Sequence, residues 1–457
     1  MSAAGTKQLI VTLTRYLRQL YRLPAAARWY LLHAALLTGA LGVGALFYNL
    51  TIDALGYQRI FLGRLETVSR LSALGLVLPL WWLVHRIGLR QALMLSAGLQ
   101  AFSALAVALW PSAAPLLLAS ATTGPAAVLF QVSAAPLMMA YSSADQRDQL
   151  FSVNAALNIG VAGLSKWLGS MLPGLLAPLL RISANSALAY RATFGVVGMV
   201  LLLAIVPLLR MPRQALAPDT QAPTPGALEQ QLTTDPPQAA IGRYSARIAR
   251  LVAPIAQRTP EPWRGVARDP LPMLVLLLPP MMISLGAALL IPYLNIFLAE
   301  RYRASNATLG LILAGGDIAA GLAMLAAPLL SARLGKIGAV VLTQLLSIPF
   351  LLLSGFAPGL AIAGAALILR FGLFNLGVPL YDAFAMERSQ AGARPIVIGL
   401  VNGAYASGYL VAPLISTRVQ QFYGFAPLFI ATACCYALAA LVMFALFGRV
   451  ATGQTAS

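Results

Sequence analysis

The sequence contains few charged residues, and most of them are basic. Asp, Glu, Lys and Arg make up 10% of the 457 residues, whereas an ordinary soluble domain has roughly 25%. Lys and Arg total 31 against 13 Asp and Glu, which gives a formal net charge of +18. This composition excludes an ordinary soluble globular protein and places most of the chain in lipid.

Cysteine and histidine are also scarce. The two cysteines, Cys434 and Cys435, are adjacent and point apart on a helix, which excludes a disulfide framework or a cysteine metal cluster. The histidines His33 and His85 lie in different segments with no motif around them, and no Gly-x-x-x-x-Gly-Lys-Ser/Thr sequence occurs. We therefore expect no enzyme, no cofactor, no metal and no nucleotide-driven machine, and weigh a lipid-modifying membrane enzyme only as a minor alternative.

Long apolar segments dominate the chain. Hydrophobic residues make up 59% of it, and a bilayer core needs roughly 20 apolar residues per helical crossing. The pattern predicts an all-α integral membrane protein with 12 transmembrane helices in two pseudo-symmetric six-helix bundles. The predicted spans lie near 29–51, 63–85, 91–110, 114–141, 149–178, 190–210, 271–298, 306–331, 337–356, 359–384, 394–417 and 426–448.

Basic residues cluster beside the spans rather than within them. With the N-terminus inside, the inner segments carry about three times as many Lys and Arg as the outer loops, as the positive-inside rule requires. We therefore expect a multi-pass protein of the cell membrane with both termini cytoplasmic. The positive charge indicates contact with anionic lipid of the inner leaflet rather than nucleic acid.

The domain organisation follows from these patterns. We expect a cytoplasmic basic amphipathic arm at 1–28, an N-terminal bundle at 29–210, a cytoplasmic linker with a short amphipathic helix at 211–270, a C-terminal bundle at 271–448 and a cytoplasmic tail at 449–457. The two bundles look like copies of one another. The pairs Gly63 and Gly310, Arg86 and Arg333, and Gly88 and Gly335 are each 247 positions apart and fall at matching places in the span pattern.

The turn between the second and third spans resembles a family motif. Residues 81–90 read Trp-Trp-Leu-Val-His-Arg-Ile-Gly-Leu-Arg, and Arg86, Gly88 and Arg90 match the Gly-x-x-x-Asp-Arg-x-Gly-x-Arg turn of the major facilitator superfamily. Trp81 and His85 stand where the motif has its first glycine and its aspartate, and Arg333 and Gly335 repeat the turn in the second half, again without the acid. In that family the acid helps latch the halves on the cytoplasmic side. The alternative is a simple tight turn in which glycine bends the chain and arginine anchors the helix end.

Ionisable residues within the spans are the main candidates for a site, because each needs a partner or water at membrane depth. Glu66 and Arg70 are four residues apart on one helix face, so they form either a local ion pair or part of a site. The resemblance places the fifth and eighth spans side by side. Lys166 and Asp317 are therefore candidates for a salt bridge between the halves, either permanent or broken in one state.

Three further expectations concern substrate and coupling. Asp317 and Glu66 are candidates for proton transfer, because a desolvated carboxylate favours its protonated form. Arg370, near the middle of the tenth span, is a candidate clamp for an anionic group, or else hydrogen-bonds backbone carbonyls of a broken helix. Polar residues placed around the cavity by the resemblance include Asn49, Asn295 and Tyr405.

The resemblance implies a secondary active transporter that works by alternating access. We expect a monomer that moves a small amphipathic or organic solute as a drug exporter does, with a proton as a candidate coupling ion. The alternative is a lipid translocator or a non-transporting sensor on the same fold.

Overall fold

The computed structural model describes residues 24–211, 270–388 and 394–451, and every regular element in these ranges is a helix. The predicted linker helix and most of the predicted basic arm and C-terminal tail lie outside the described residues. The first helix begins at Ala25 and the last ends at Ala451, so both extend a few residues beyond the predicted spans.

The N-terminal half contains six spans. They are Ala25–Ala54, Arg59–Ile87, Leu89–Leu109, Ala113–Ala140, Ala144–Gly169 continued by Leu172–Leu180, and Ala187–Leu203 continued by Ile205–Leu209. These bounds agree with the predicted spans to within a few residues.

The C-terminal half has more interrupted helices. Its elements are Pro270–Leu290, a 3₁₀ turn Ile291–Tyr293, Leu294–Tyr302, Asn306–Phe356, Leu360–Leu376, Val378–Glu387, Arg394–Ser407, a 3₁₀ turn Gly408–Leu410, Ala412–Tyr423 and Ala426–Ala451. The first two helices with the turn between them form the seventh span, and Arg394–Tyr423 forms the eleventh.

One glycine divides the longest helix into two membrane crossings. Ten helical segments of the described chain are long and apolar enough to cross a membrane, and one of them, Asn306–Phe356, has 51 residues. Its backbone leaves the helical region at Gly335, so it contains the eighth and ninth spans. With the interrupted eleventh span the total is twelve, as the sequence predicts.

The two matching turns adopt the same backbone conformation. Gly88 has φ 86° and ψ 160°, and Gly335 has φ 70° and ψ 166°. A positive φ is strained for a residue with a Cβ atom, so glycine lets the chain reverse within one residue at both positions. The shared geometry supports the internal repeat.

The two halves also touch each other reciprocally. Gly63 of the second span lies so close to the eleventh span that a Cβ atom on it would be 2.3 Å from Thr417 Oγ1. In the same way, a Cβ atom on Gly310 of the eighth span would be 2.3 Å from Ser170 Cβ, where the first helix of the fifth span ends. Ser170 and Thr417 are separated by the same offset as the two glycines. The fold therefore has two equivalent seams, one between spans 2 and 11 and one between spans 5 and 8.

The halves are joined at one end of the molecule, and the second span is exposed towards the other. At the end that carries Arg59, called here the Arg59 end, Tyr190 and Asn185 hydrogen-bond to Asn306 across the halves. Towards the opposite end, called the Gly88 end, residues 74–79 of the second span are all exposed. Six consecutive residues cover the whole circumference of a helix. At that level the second span is therefore not buried against the partner half.

Candidate functional site

A cavity of ≈ 590 Å³ lies between the halves. Most of its wall comes from the N-terminal half, including Tyr48, Glu66 and Gln100, while Asp317 and Phe371 belong to the C-terminal half. Of the predicted site residues, those in the lining are Asn49, Glu66, Lys166, Asn295 and Asp317, and those outside it are Arg70, Arg370 and Tyr405. The volume is in the range of small-molecule sites.

Lys166 and Asp317 form an ion pair across the seam between spans 5 and 8. Lys166 Nζ lies 2.6 Å from Asp317 Oδ2, and the two side chains are 22% and 27% exposed. Both residues also line the cavity, so the ion pair lies where the seam between spans 5 and 8 borders the cavity.

Glu66 and Arg70 pair along the second span, and the arginine also reaches the other half. Arg70 Nε and an NH2 group donate to Glu66 Oε1 at 2.9 and 2.7 Å. The Arg70 guanidinium carbon lies 5.1 Å from the ring centroid of Tyr409 in the eleventh span, within the range of a cation–π contact. Arg70, the repeat counterpart of Asp317, therefore also contacts the opposite half.

Two asparagines join the first span to the seventh. Asn49 Nδ2 donates to the Pro292 carbonyl at 2.6 Å, and Asn295 Nδ2 donates to the Leu46 carbonyl at 2.8 Å. Pro292 lies in the 3₁₀ turn that interrupts the seventh span, and such an interruption frees a carbonyl group from the helical pattern. These asparagines hold the two halves together beside the cavity.

Arg370 occupies a different place from the one expected. It is 2% exposed, and its NH2 group donates to the Tyr436 hydroxyl at 2.6 Å. Its guanidinium carbon lies 5.1 Å from the ring centroid of Phe371 and 4.8 Å from that of Phe374. Phe371 lines the cavity and Arg370 does not. In this conformation the arginine is enclosed by aromatic rings and has no hydrogen bond to a backbone carbonyl of the described residues, and its role as an anion clamp stays a prediction.

Tyr405 also lies outside the cavity lining. It packs in the C-terminal half, and its backbone carbonyl accepts a hydrogen bond from the Ser284 hydroxyl at 2.5 Å. Asp382, on the tenth span, is the exception among the six carboxylates whose side chains are described, because it has no basic partner within 4.0 Å among the described residues. It too is absent from the cavity lining.

The Arg-x-Gly turns make contacts within their own halves. Arg86 lies over the ring of Trp82, with 4.6 Å between the guanidinium carbon and the ring centroid. Arg90 donates to the Leu209 carbonyl at 2.9 Å. Arg333 is exposed. Around Gly88 and Gly335 these interactions fit the turn-and-anchor alternative, and the gating role stays a prediction.

Two residues of interest, Arg59 and Gln100, were not predicted from the sequence. Arg59 forms an ion pair with Glu300 and lies 3.9 Å from Asp53 Oδ1. Its NH1 group is 3.4 Å from Gln420 Oε1. Its guanidinium carbon is 5.4 Å from the ring centroid of Phe425. It thus joins four segments at this end of the molecule. The sequence placed Arg59 only in the loop between the first two predicted spans, and no periodicity could reveal these partners.

Gln100 is the second missed residue. It lies at the centre of the third span, lines the cavity, and is partly exposed there with no hydrogen bond to any residue of the described chain. A glutamine in the middle of an apolar span is a usable signal, because its amide needs a partner at membrane depth. Gln100 was not among the polar residues predicted to surround the cavity. Among the residues described, no group of three His, Cys, Asp or Glu side chains could hold a metal ion.

No protein-family model and no curated protein matches the sequence. Solved structures with similar folds include a nucleoside transporter, NupG (11% identity, 92% of this chain and 99% of that chain covered, TM-score 0.65). An auto-inhibited POT family peptide transporter has 14% identity, coverage of 93% and 97%, and TM-score 0.64. A bacterial homologue of the human lysosomal transporter Spinster, inward-facing and occupied, has 14% identity, coverage of 95% and 95%, and TM-score 0.64. These likenesses, together with the twelve spans and the paired turns, establish that the chain is an integral membrane protein with the fold of the major facilitator superfamily.

Proposed function

We propose that this protein is a secondary active transporter that moves a small organic solute across the membrane by alternating access. The observation that carries the proposal is a cavity between two repeat-related halves that are joined at the Arg59 end, while the second span is exposed towards the Gly88 end. A transporter needs such a site, open to one side at a time. Proteins of similar fold include a nucleoside transporter, a peptide transporter and a bacterial homologue of a lysosomal transporter.

The conformation corresponds to one of the two states of such a cycle. The charge bias of the sequence assigns the Gly88 end to the cytoplasm, with both termini on that side and the protein in the cell membrane. On this assignment the structure is inward-open, and its seams would have to open at the Arg59 end in the other state. We propose that the predicted basic arm binds the anionic inner leaflet and that the protein acts as a monomer.

We further propose a drug-exporter type of transporter that is coupled to protons through Asp317. Apolar and aromatic side chains such as Phe194 and Phe371 suit an amphipathic solute. Proton binding to Asp317 would break its pair with Lys166, which joins the halves, and would therefore favour the opening of that seam. Glu66 remains the second candidate, since it also lines the cavity beside a cation.

Uptake into proteoliposomes tests the proposal. Purified protein is reconstituted, a pH gradient is imposed, and entry of labelled amphipathic cations, organic anions and uncharged solutes is compared with phospholipid transfer between leaflets. Gradient-driven solute uptake supports the proposal. Phospholipid transfer alone would identify a lipid translocator, and binding without any transport would indicate a sensor.

The Asp317→Asn variant tests the coupling residue, with Asp382→Asn as its matched control. Both changes remove a carboxylate from a span of the C-terminal half, but only Asp317 lines the cavity and has a basic partner. We expect Asp317→Asn to abolish gradient-driven uptake and Asp382→Asn to retain it. Unchanged uptake by the Asp317→Asn variant would remove Asp317 from the mechanism.

A further inference from the structure

The charges around the cavity cancel in pairs. Lys166 is neutralised by Asp317, and Glu66 is neutralised by Arg70. A charged ligand binds strongly in a desolvated site only if the site offers an uncompensated opposite charge. In the structure as described, both cations and both anions already have partners at salt-bridge distance.

The remaining charged group of the region is shielded. Arg370 has no acidic partner among the described residues, but it is 2% exposed and lies behind the ring of Phe371. Its charge therefore cannot be met directly by a ligand in the cavity. An anionic solute would have to displace Asp317 or Glu66 from its cation, and a cationic solute would have to displace Lys166 or Arg70.

Residues that line the cavity nevertheless carry hydrogen-bonding atoms with no partner among the described residues. Both hydrogen bonds from Arg70 fall on Glu66 Oε1, and Lys166 donates to Asp317 Oδ2. Glu66 Oε2 and Asp317 Oδ1 accept no hydrogen bond from the described residues. The Gln100 amide is likewise free, and it offers both a donor and an acceptor.

The free groups lie among rings. Phe194 and Phe371 belong to the same cavity lining, from the sixth and tenth spans respectively. Flat apolar rings favour a ligand that presents a ring of its own. Carboxylate oxygens with no donor favour a ligand that has hydroxyl or N–H groups to give.

From this arrangement we infer that the cavity selects an uncharged solute that carries a ring and several hydroxyl or N–H donors, as glycosides and nucleosides do. The inference rests on the proposed transport function and narrows its substrate class. It assigns Gln100 to direct contact with the solute. In this arrangement the two ion pairs provide acceptor oxygens for the solute while contributing no net charge to the cavity.

Matched ligands test the preference for neutral solutes. Binding to the reconstituted protein is measured for uridine, its monophosphate and its amino analogue, and for phenyl glucoside, its glucuronide and its amino analogue. Each set shares a ring system and differs in charge. We expect at least one neutral member to bind about tenfold or more tightly than its charged analogues, because each charged analogue must break an existing pair. Equal or tighter binding of a charged analogue, or no binding by either neutral member, would overturn the inference.

Two variants then test the origin of the selectivity. Glu66→Gln leaves Arg70 uncompensated, so we expect the affinity for the anionic analogue to rise about tenfold. Asp53→Asn removes the same charge near Arg59, outside the cavity lining, and is expected to have no such effect. Equal responses of the two variants would show that overall charge, not the Glu66 pair, sets the preference.

Gln100→Leu tests the direct contact. We expect it to weaken binding of the neutral ligand about tenfold, because the ligand donor or acceptor is left unpaired in the cavity. Gln131→Leu is the control, since Gln131 lies on the fourth span and outside the cavity lining. An unchanged affinity in the Gln100→Leu variant would remove this residue. Transport of a charged analogue in preference to the neutral one would refute the inferred substrate class but support the proposed transport function. Binding of the neutral ligand without transport would support the inferred substrate class but refute the proposed transport function.

Discussion

Adding one methyl group at Gly63 should push the protein out of the conformation described here. In this conformation a Cβ atom at Gly63 would lie 2.3 Å from Thr417 Oγ1 and 2.8 Å from the Pro413 carbonyl oxygen. The carbonyl belongs to helix backbone and cannot rotate away. The Gly63→Ala variant therefore requires spans 2 and 11 to separate at the Arg59 end.

The size of the effect follows from these distances. Ordinary van der Waals contact begins near 3.4 Å, so the helices must move apart by about 1 Å in a region packed as tightly as a protein interior. Overpacking of this kind costs roughly 1–3 kcal/mol. Because the cost falls only on the state with this seam closed, the equilibrium between the two states should shift about 5- to 150-fold towards the state open at the Arg59 end.

Cysteine labelling measures this shift. Ser103 lines the cavity and is buried, so Ser103→Cys in a background without Cys434 and Cys435 reports access from the Arg59 end. A membrane-impermeant maleimide is applied from that side in oriented vesicles. Gly63→Ala should speed labelling, and Gly75→Ala on the same span should not, since a Cβ atom at Gly75 would meet nothing within 4 Å.

Equal labelling rates in the two alanine variants would refute the reasoning, because they would show that the seam at Gly63 does not control access. A slower rate in Gly63→Ala would refute it as well. Gly310→Ala provides an independent test at the other seam, where a Cβ atom would lie 2.6 Å from the Lys166 carbonyl oxygen. It should act in the same direction as Gly63→Ala.

Three more predictions concern the charges and the turns. Exchanging Lys166 and Asp317 in a double variant should restore much of the transport lost in either single reversal, and no recovery in the uptake assay would argue against a paired role. Arg59→Ala should raise labelling from the Arg59 end, because Glu300 then loses its partner across the halves; an unchanged rate would contradict this. Gly335→Ala should cost about 1–2 kcal/mol through its positive φ and lower the melting temperature in detergent; an unchanged melting temperature would show that the turn adapts without strain.

The sequence was sufficient to predict the architecture because its strongest signals are periodic. Apolar length predicts the crossings, and the constant offset between Gly88 and Gly335 predicts a repeated turn that the structure contains. The offset also matches Gly63 to Gly310, and both prove to be points of close helix approach. The 3₁₀ interruption near Pro292 escaped prediction, since a proline in an apolar span fixes neither the place nor the kind of break.

The site was predicted less completely, for a geometrical reason. Position along the sequence gives depth in the membrane, which places Lys166 and Asp317 at compatible heights. It does not give the direction in which a side chain points once the helix is rotated by its packing. Arg370 has the expected depth but points among aromatic rings, and Phe371 beside it faces the cavity. Gln100 carries the same kind of signal as Asn49 and Asn295, an uncharged amide within a span, but the sequence alone does not show that its helix face meets the cavity.

The two seams have the same shape but different charged residues. This difference determines whether a half can pair with a second copy of itself or only with the other half. By the repeat, the counterpart of Lys166 is Pro413 and the counterpart of Asp317 is Arg70. A dimer of two N-terminal halves would set Lys166 against Arg70, two cations, at both of its contacts, and a dimer of two C-terminal halves would leave Asp317 facing proline. If the halves were produced as separate chains, we therefore expect only the mixed pair to place Lys166 opposite an acid, so neither half could take the place of the other.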